Sequence, residues 1–214
     1  MSRIITAILV ENENEFRKQI SLAMAFSRMI QLDVLDGTML PERSWNNAKA
    51  AAAMHLAIPF EAHLMVNNPE LKVPAWIRAG AERIIVHLEA KGVIGLALEQ
   101  IRLADRRAGI ALNPETDLGL VKEFIPFIDH IQLMGVRPGA QGRAFDPETV
   151  GRVRALKKTY PHITIAVDGG VTAAGHLAHT LAVAGTDDLV VGSALWGSKD
   201  PAAAYAAIAA DARV

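Results

Sequence analysis

Short apolar runs in this chain repeatedly end on a side chain that can bind a metal or move a proton. Gln31 and Asp33 stand at the end of the second such run and His63 near the end of the third. His87 and Glu89 close the fourth, Asn113 follows the fifth, and Asp168 follows the seventh. In extended backbone a spacing of two puts Gln31 and Asp33 on one face. Converging from different strands, Asp33, His63 and Asp168 would offer one imidazole nitrogen and two carboxylates, a mixed N,O set suited to a divalent cation. A plainer reading stands beside this one. Single acids at such positions commonly cap helices or make turns, and Asp36-Gly37 and Asp168-Gly169 have the composition of turns.

Glycine marks a second group. Gly139, Gly142, Gly169, Gly170 and Gly192 follow the last three runs, where backbone N–H groups can approach an anion with no side chain intervening. Gly169-Gly170 together with Gly192-Ser193 has the arrangement of a phosphate site at strand ends. Arg143 or Arg137 would add positive charge, and a set of tight turns is the alternative. His55, His162, His176 and His179 read as surface or packing residues, and His130, alternating with Gln132, reads as structural. Trp45, Trp76 and Trp196 are too scattered to stack nucleic-acid bases.

These side chains need a framework that delivers strand ends to one place. Apolar, β-rich runs cover residues 4–9, 29–34, 58–65, 83–88, 109–112, 128–134, 162–167 and 188–191. Between them lie segments with helical spacing, such as Ala97, Leu98, Ile101 and Ala104, or Val150, Val153 and Leu156. Three helices are expected to start at a capping residue followed by proline: Asn68-Pro69, Asp146-Pro147 and Asp200-Pro201. Strand and helix in alternation demand a parallel sheet. Eight such units without a surplus segment predict an α/β fold, a (β/α)8 TIM barrel forming a single domain over residues 1–214. An open doubly wound sheet is the alternative, but neither glycine-rich nucleotide fingerprint is present to favour it.

The composition of the 214 residues bounds the partners. With 22 Lys+Arg against 23 Asp+Glu, the formal net charge is −1, and the balance argues against nucleic-acid and anionic-membrane partners. The absence of cysteine removes disulfides, thiol nucleophiles and Cys-ligated zinc, and suits a reducing compartment. The run after Arg3 meets Glu11 and Glu13 rather than a small-residue cleavage site, so it reads as a strand and not a leader. The uncharged stretch 169–186 contains glycines and histidines unsuited to a membrane span. A cytoplasmic protein is expected, and its Ala-rich helices would suit packing in a homo-oligomer or, equally, a monomer.

Taken in order, six blocks complete the pattern: Leu32-Asp-Val-Leu-Asp-Gly37, Ala62-His-Leu-Met-Val66, Val86-His-Leu-Glu-Ala90, Ala111-Leu-Asn-Pro-Glu-Thr116, Val167-Asp-Gly-Gly-Val171 and Val191-Gly-Ser-Ala194. Their order and spacing resemble the ribulose-phosphate 3-epimerase family over nearly the whole chain. The resemblance implies a (β/α)8 barrel that inverts one carbon of a phosphorylated ketose with a divalent metal (Zn, Mn, Mg or Fe) and two acids. Carried over by position, Asp33 and Asp168 would each be a metal ligand and an acid/base, with His63 a third ligand. Gly142, Gly170, Gly192 and Ser193 would contact phosphate, with Gly169 and Arg143 beside them, and Met65 and Met134 would form a pocket wall. Inversion explains the pair of acids, since one group removes a proton from one face and the other returns it to the opposite face.

Three departures accompany the resemblance. Gln31 stands where the family has a histidine ligand; both are neutral, but a carboxamide oxygen is a weaker zinc ligand than imidazole. Ala7 replaces a serine that contacts substrate. Pro138-Gly-Ala-Gln-Gly-Arg143 replaces Pro-Gly-Phe-Gly-Gly-Gln in the phosphate loop. Together they point to an altered substrate or activity, or to a non-catalytic phosphosugar-binding barrel. A decarboxylase of the related phosphate-binding barrels is a further alternative, but its Asp-x-Lys motif occurs nowhere in the chain.

Overall fold

The computed structural model describes residues 2–138 and 144–213. Strands β1 (Arg3–Ile8), β2 (Ile30–Leu35), β3 (Phe60–Met65), β4 (Arg83–His87), β5 (Arg107–Leu112), β6 (His130–Met134), β7 (Thr164–Asp168) and β8 (Asp188–Val191) pair in chain order, all parallel. The ring closes where β8 returns to β1, with Ile4 opposite Leu189 and Thr6 opposite Val191. The expected TIM barrel is therefore the fold, and its parallel strand ends share one rim.

Helices α1 (Glu13–Ala23), α2 (Ala48–Ala53), α3 (Val73–Arg78), α4 (Ile94–Leu103), α5 (Glu148–Thr159), α6 (Leu177–Ala184), α7 (Ser193–Trp196) and α8 (Pro201–Asp211) follow the strands. In α4 the buried residues are Ile94, Ala97, Leu98 and Ile101. Their spacing makes one apolar stripe against the sheet, and truncating Leu98 to alanine there costs about 2–5 kcal/mol. Between β5 and β6 the chain makes two 3₁₀ turns, Leu118–Glu123 and Ile125–Phe127, instead of an α-helix. Gly119 and Pro126 leave too few good helix formers between them to nucleate one.

One of the three expected caps holds as read: Asp200 accepts the Ala203 N–H at 3.0 Å. Asp146 accepts the Glu148 N–H at 3.0 Å in the turn that leads into α5, whose cap position is Pro147. Asn68 behaves differently: it adopts φ 52° without a side-chain cap, Pro69–Leu71 form a 3₁₀ turn, and the α-helix starts only at Val73. Pro74 falls in the first turn of α3, where a missing N–H costs least.

Alternation along the strands separates two environments. Ile30, Leu32 and Val34 of β2, Ala62 and Leu64 of β3, Ile131 and Leu133 of β6, and Ile165 and Val167 of β7 join the main apolar core, which lies between sheet and helices. The intervening residues point into the barrel, where polar groups dominate; Ile5, Ala7, Met29 and Val190 make a small separate apolar cluster. At the strand starts the barrel is floored by charge. Arg83 donates from Nε to Glu61 Oε2 at 2.6 Å and from Nη2 to Asp188 Oδ2 at 2.9 Å, and its Nη1 lies 2.9 Å from His130 Nδ1. Arg3 adds a two-pronged pair to Asp188 at 2.8 and 2.9 Å. Burial and the Arg83 charge hold the His130 ring well below the usual imidazole range, hence neutral, so Nδ1 can accept from Arg83.

Candidate active site

The cluster read from strand ends is assembled one layer above this floor. Asp33 and His63 are register partners on β2 and β3, and Asp168 ends β7 opposite Met134 of β6. His63 Nδ1 lies 3.1 Å from Asp33 Oδ1 and 3.3 Å from Asp168 Oδ2. His63 is fully buried, whereas Asp33 and Asp168 retain 9% and 8% of their surface, so the carboxylates form the solvent-facing edge of the cluster. Backbone contacts fix both strand ends. Ser44 Oγ donates to the Asp33 carbonyl at 2.7 Å and accepts the Leu35 N–H at 3.0 Å, while the Gly135 N–H donates to the Asp168 carbonyl at 2.7 Å. Gly135 is needed for this approach, because a Cβ there would lie 2.5 Å from the Gly169 carbonyl oxygen.

Gln31 shares the inward face with Asp33, as its spacing predicted. Its Nε2 donates to Asp33 Oδ1 at 2.8 Å and to Asp168 Oδ2 at 2.7 Å, bridging the acids. Gln132 has no role in the sequence reading beyond its alternation with His130, yet its Nε2 donates to Asp168 Oδ2 at 2.8 Å and lies 3.3 Å from His63 Nδ1. The signal was available: Gln132 precedes inward-facing Met134 by two residues, as Gln31 precedes Asp33. His87, mentioned in the sequence without a role, supports His63 from behind, with Nε2 to Nε2 at 2.9 Å and rings stacked. Its Nδ1 lies 3.1 Å from Glu89 Oε2, so a carboxylate orients the second imidazole.

The electrostatics favour a cation at this cluster. Burial, reinforced by the charge of Asp168, raises the Asp33 carboxyl above its usual range despite the opposing bond to His63. Burial disfavours the His63 cation, but hydrogen bonds to Asp168 and Asp33 outweigh it and raise the ring to about 9. The His63 ring thus retains its proton at neutral pH, and a metal would displace it. The donor set also fits a divalent ion: one atom from each of Asp33, His63 and Asp168 lies within 4.8 Å of the others. Gln31 Oε1 is buried without a hydrogen-bond partner among the described residues. An amide turned to face a cation with its oxygen would satisfy that atom.

Other expected contacts are placed unequally. Met65 and Met134 are buried at 4% exposure on inward-facing positions next beyond His63 and Gln132. Gly169 and Gly170 take φ 96° and 73° directly after Asp168, a conformation that favours glycine. Gly192 precedes Ser193 at the start of α7, and a Cβ at Gly192 would meet Ala7 Cβ at 3.5 Å. Gly139, Gly142 and Arg143 lie outside the described residues. His55, His162, His176 and His179 are all away from the cluster and at least partly exposed.

A profile of the ribulose-phosphate 3-epimerase family matches residues 3–196. The chain belongs to the ribulose-phosphate 3-epimerase family. It is 34% identical over 191 residues to a ribulose-phosphate 3-epimerase of Mycobacterium leprae, covering 86% of this chain and 84% of that protein. The chloroplastic ribulose-5-phosphate-3-epimerase of Arabidopsis thaliana is also 34% identical, over 97% of this chain and 76% of its own length. Among solved structures, 3-hexulose-6-phosphate synthase from Salmonella typhimurium superposes with TM-score 0.74 at 17% identity, covering 98% of each chain. KGPDC from Streptococcus mutans does so with TM-score 0.73 at 12% identity, over 99% of this chain and 97% of that one. These structural likenesses show the shared barrel. Membership of the epimerase family, with the buried Asp33–His63–Asp168 cluster, makes the chain a metal-assisted epimerase. No described helix is long and apolar enough to cross a membrane.

Proposed function

We propose that this chain inverts the carbon beside the carbonyl of a phosphorylated ketose, with Asp33 and Asp168 as the two acid/base groups and Asp33, His63, Asp168 and Gln31 as metal-holding residues. The observation that carries the reading is the convergence of carboxylates from β2 and β7 on His63 Nδ1, at 3.1 and 3.3 Å. One carboxylate takes the proton from the carbon, and the other delivers a proton to its opposite face. His63, fixed by His87, sets the separation of the acids. When bound, a divalent ion supplies Lewis-acid stabilisation of the negative charge that develops on the substrate oxygens. Met65 and Met134 wall the reacting carbon from water.

The phosphate is assigned to the backbone of Gly169, Gly170, Gly192 and Ser193, with Gly142 and Arg143 from the adjoining loop. Ala7, beside Gly192, lacks the hydroxyl that would contact substrate there, which favours a sugar differing from the relatives' at that end. We propose a cytoplasmic protein, which a cysteine-free sequence permits, and self-association through the face with exposed Leu103 and Phe127, to be tested by sedimentation.

The deciding experiment is proton exchange at the substrate carbon in deuterated water, across a panel of ketose phosphates and added metals. Asp33→Asn and Asp168→Asn should each abolish epimerisation while preserving the fold. Near-parent turnover in either variant would remove the two-base assignment.

A further inference from the structure

The barrel carries two glutamines where a single neutral ligand is expected, and both side chains reach the same three groups. Gln31 Nε2 lies 2.8 Å from Asp33 Oδ1, 2.7 Å from Asp168 Oδ2 and 3.3 Å from His63 Nδ1. Gln132 Nε2, arriving from β6, lies 2.8 Å from Asp168 Oδ2 and 3.3 Å from His63 Nδ1. Both residues are fully buried, and both carboxamide oxygens lack a hydrogen-bond partner among the described residues. A buried polar atom left without a partner costs on the order of 1–3 kcal/mol. The arrangement therefore has two such costs at one centre, while two amide nitrogens crowd the same carboxylate oxygen.

We propose that Gln132 is a metal-holding residue: with its amide turned so that Oε1 takes the place of Nε2, it joins Gln31 to offer two neutral oxygens beside Asp33, His63 and Asp168. The inference rests on the reading of those three as metal ligands. Three further features support it. The two ends of a carboxamide have nearly the same shape, so the turn needs no repacking. The donor pairs Gln31–Asp33, Gln31–Asp168, Gln132–His63 and His63–Asp33 lie 2.7–3.3 Å apart, close to the edge of about 3 Å expected between neighbouring ligands each about 2.1 Å from an octahedral ion. A cation at that centre would draw both oxygens inward and remove both unpartnered atoms, whereas a proton could satisfy neither pair fully. The resulting donor set has four oxygens and one nitrogen. Such a set favours Mn²⁺ or Mg²⁺ over the softer-ligand preference of zinc.

The test uses the full-length protein stripped of metal and reloaded with Mn²⁺, with binding read from the free-ion electron paramagnetic resonance signal. Gln132→Leu should weaken Mn²⁺ binding by at least about tenfold, and Gln132→Glu, which places an anionic oxygen at the same reach, should strengthen it. Parent protein labelled with ¹³C at the glutamine side-chain carbonyl should show two carbons coupled to the bound Mn²⁺ by electron–nuclear double resonance. One should vanish in Gln31→Leu and the other in Gln132→Leu. This last measurement on the parent keeps the proposal decidable if a variant does not fold. A single coupled carbon, lost in Gln31→Leu, or Mn²⁺ affinity unmoved in both Gln132 variants, would overturn the role of Gln132 while leaving the centre in place. Mn²⁺ binding that survives His63→Ala would instead overturn the centre itself, and the proposal with it.

Discussion

Glu89 offers a quantitative check on how the imidazole pair behind the site is held. Its carboxylate faces His87 Nδ1 at 3.1 Å, accepts the Asn113 N–H at 2.8 Å and accepts the Thr116 hydroxyl. Burial alone would raise its pKa, but these three bonds and the charge of His87 lower it to about 2, from an ordinary 4.5. At about 1.4 kcal/mol per pH unit that fall corresponds to about 3 kcal/mol. Solvent reaching the part-exposed carboxylate screens it to about 2 kcal/mol. The native state binds this proton less readily than the unfolded chain, so the stabilisation is fully present above pH 4.5 and is lost as pH falls through the folded value near 2. Glu89→Gln keeps the shape and removes the charge. Urea unfolding of parent and variant from pH 2 to 7 should show the variant about 2 kcal/mol weaker at neutrality, with the difference closing in acid. A difference that stays constant across that range would show that shape, and not charge, is what Glu89 supplies.

Other expectations follow from the floor, the glycines and the carboxamides. Arg83→Met leaves Glu61 and part of Asp188 as buried charges without their cation and should cost about 3–5 kcal/mol in chemical unfolding. Adding Glu61→Gln should restore part of that loss, and strict additivity of the two changes would refute the pairing. Gly170→Val forces φ 73° on a β-branched residue and brings its Cβ within 2.9 Å of Phe145 Cβ. It should lose about 1–2 kcal/mol of stability and raise KM for a phosphorylated ketose, whereas an unchanged KM would move the phosphate elsewhere. Gln31→His should tighten zinc binding in competition with a chelator; equal affinity in parent and variant would mean that this position does not control the metal.

How much of this was legible in the sequence depends on which face a residue takes. The strands could be read because Ile30, Leu32, Ile165, Val167 and their counterparts turn apolar side chains to the helices, leaving runs that keep their period. Asp33, His63 and Asp168 could be read because they end those runs. Gln132 escaped because an amide in mid-strand looks like a surface position when only one face of the sheet is imagined as buried. Glu61, Arg83 and Asp188 were hidden for the same reason, since their partners lie on strands far apart in the chain. Asn68-Pro69 misled because a local cap signal is blind to the backbone of Asn68, whose N–H is taken by the Lys91 carbonyl at 2.5 Å. The β5–β6 connection lost its helix to Gly119 and Pro126, both visible in the sequence but outweighed there by the expectation of a regular repeat.

The charged floor bears on how the barrel can be divided. A half comprising β1 to β4 contains Arg3, Arg83 and Glu61, while the other half contains His130 and Asp188. Within the floor neither half is balanced: the first supplies the Arg3 and Arg83 guanidiniums against Glu61, and the second supplies Asp188, whose arginine partners both come from the first. Arg83 reaches its full set of partners only when β3, β4, β6 and β8 are all in place. Charge neutrality of the floor is thus a property of the complete ring, so the chain should unfold as one cooperative unit, and separately expressed halves should gain little from folding until they meet.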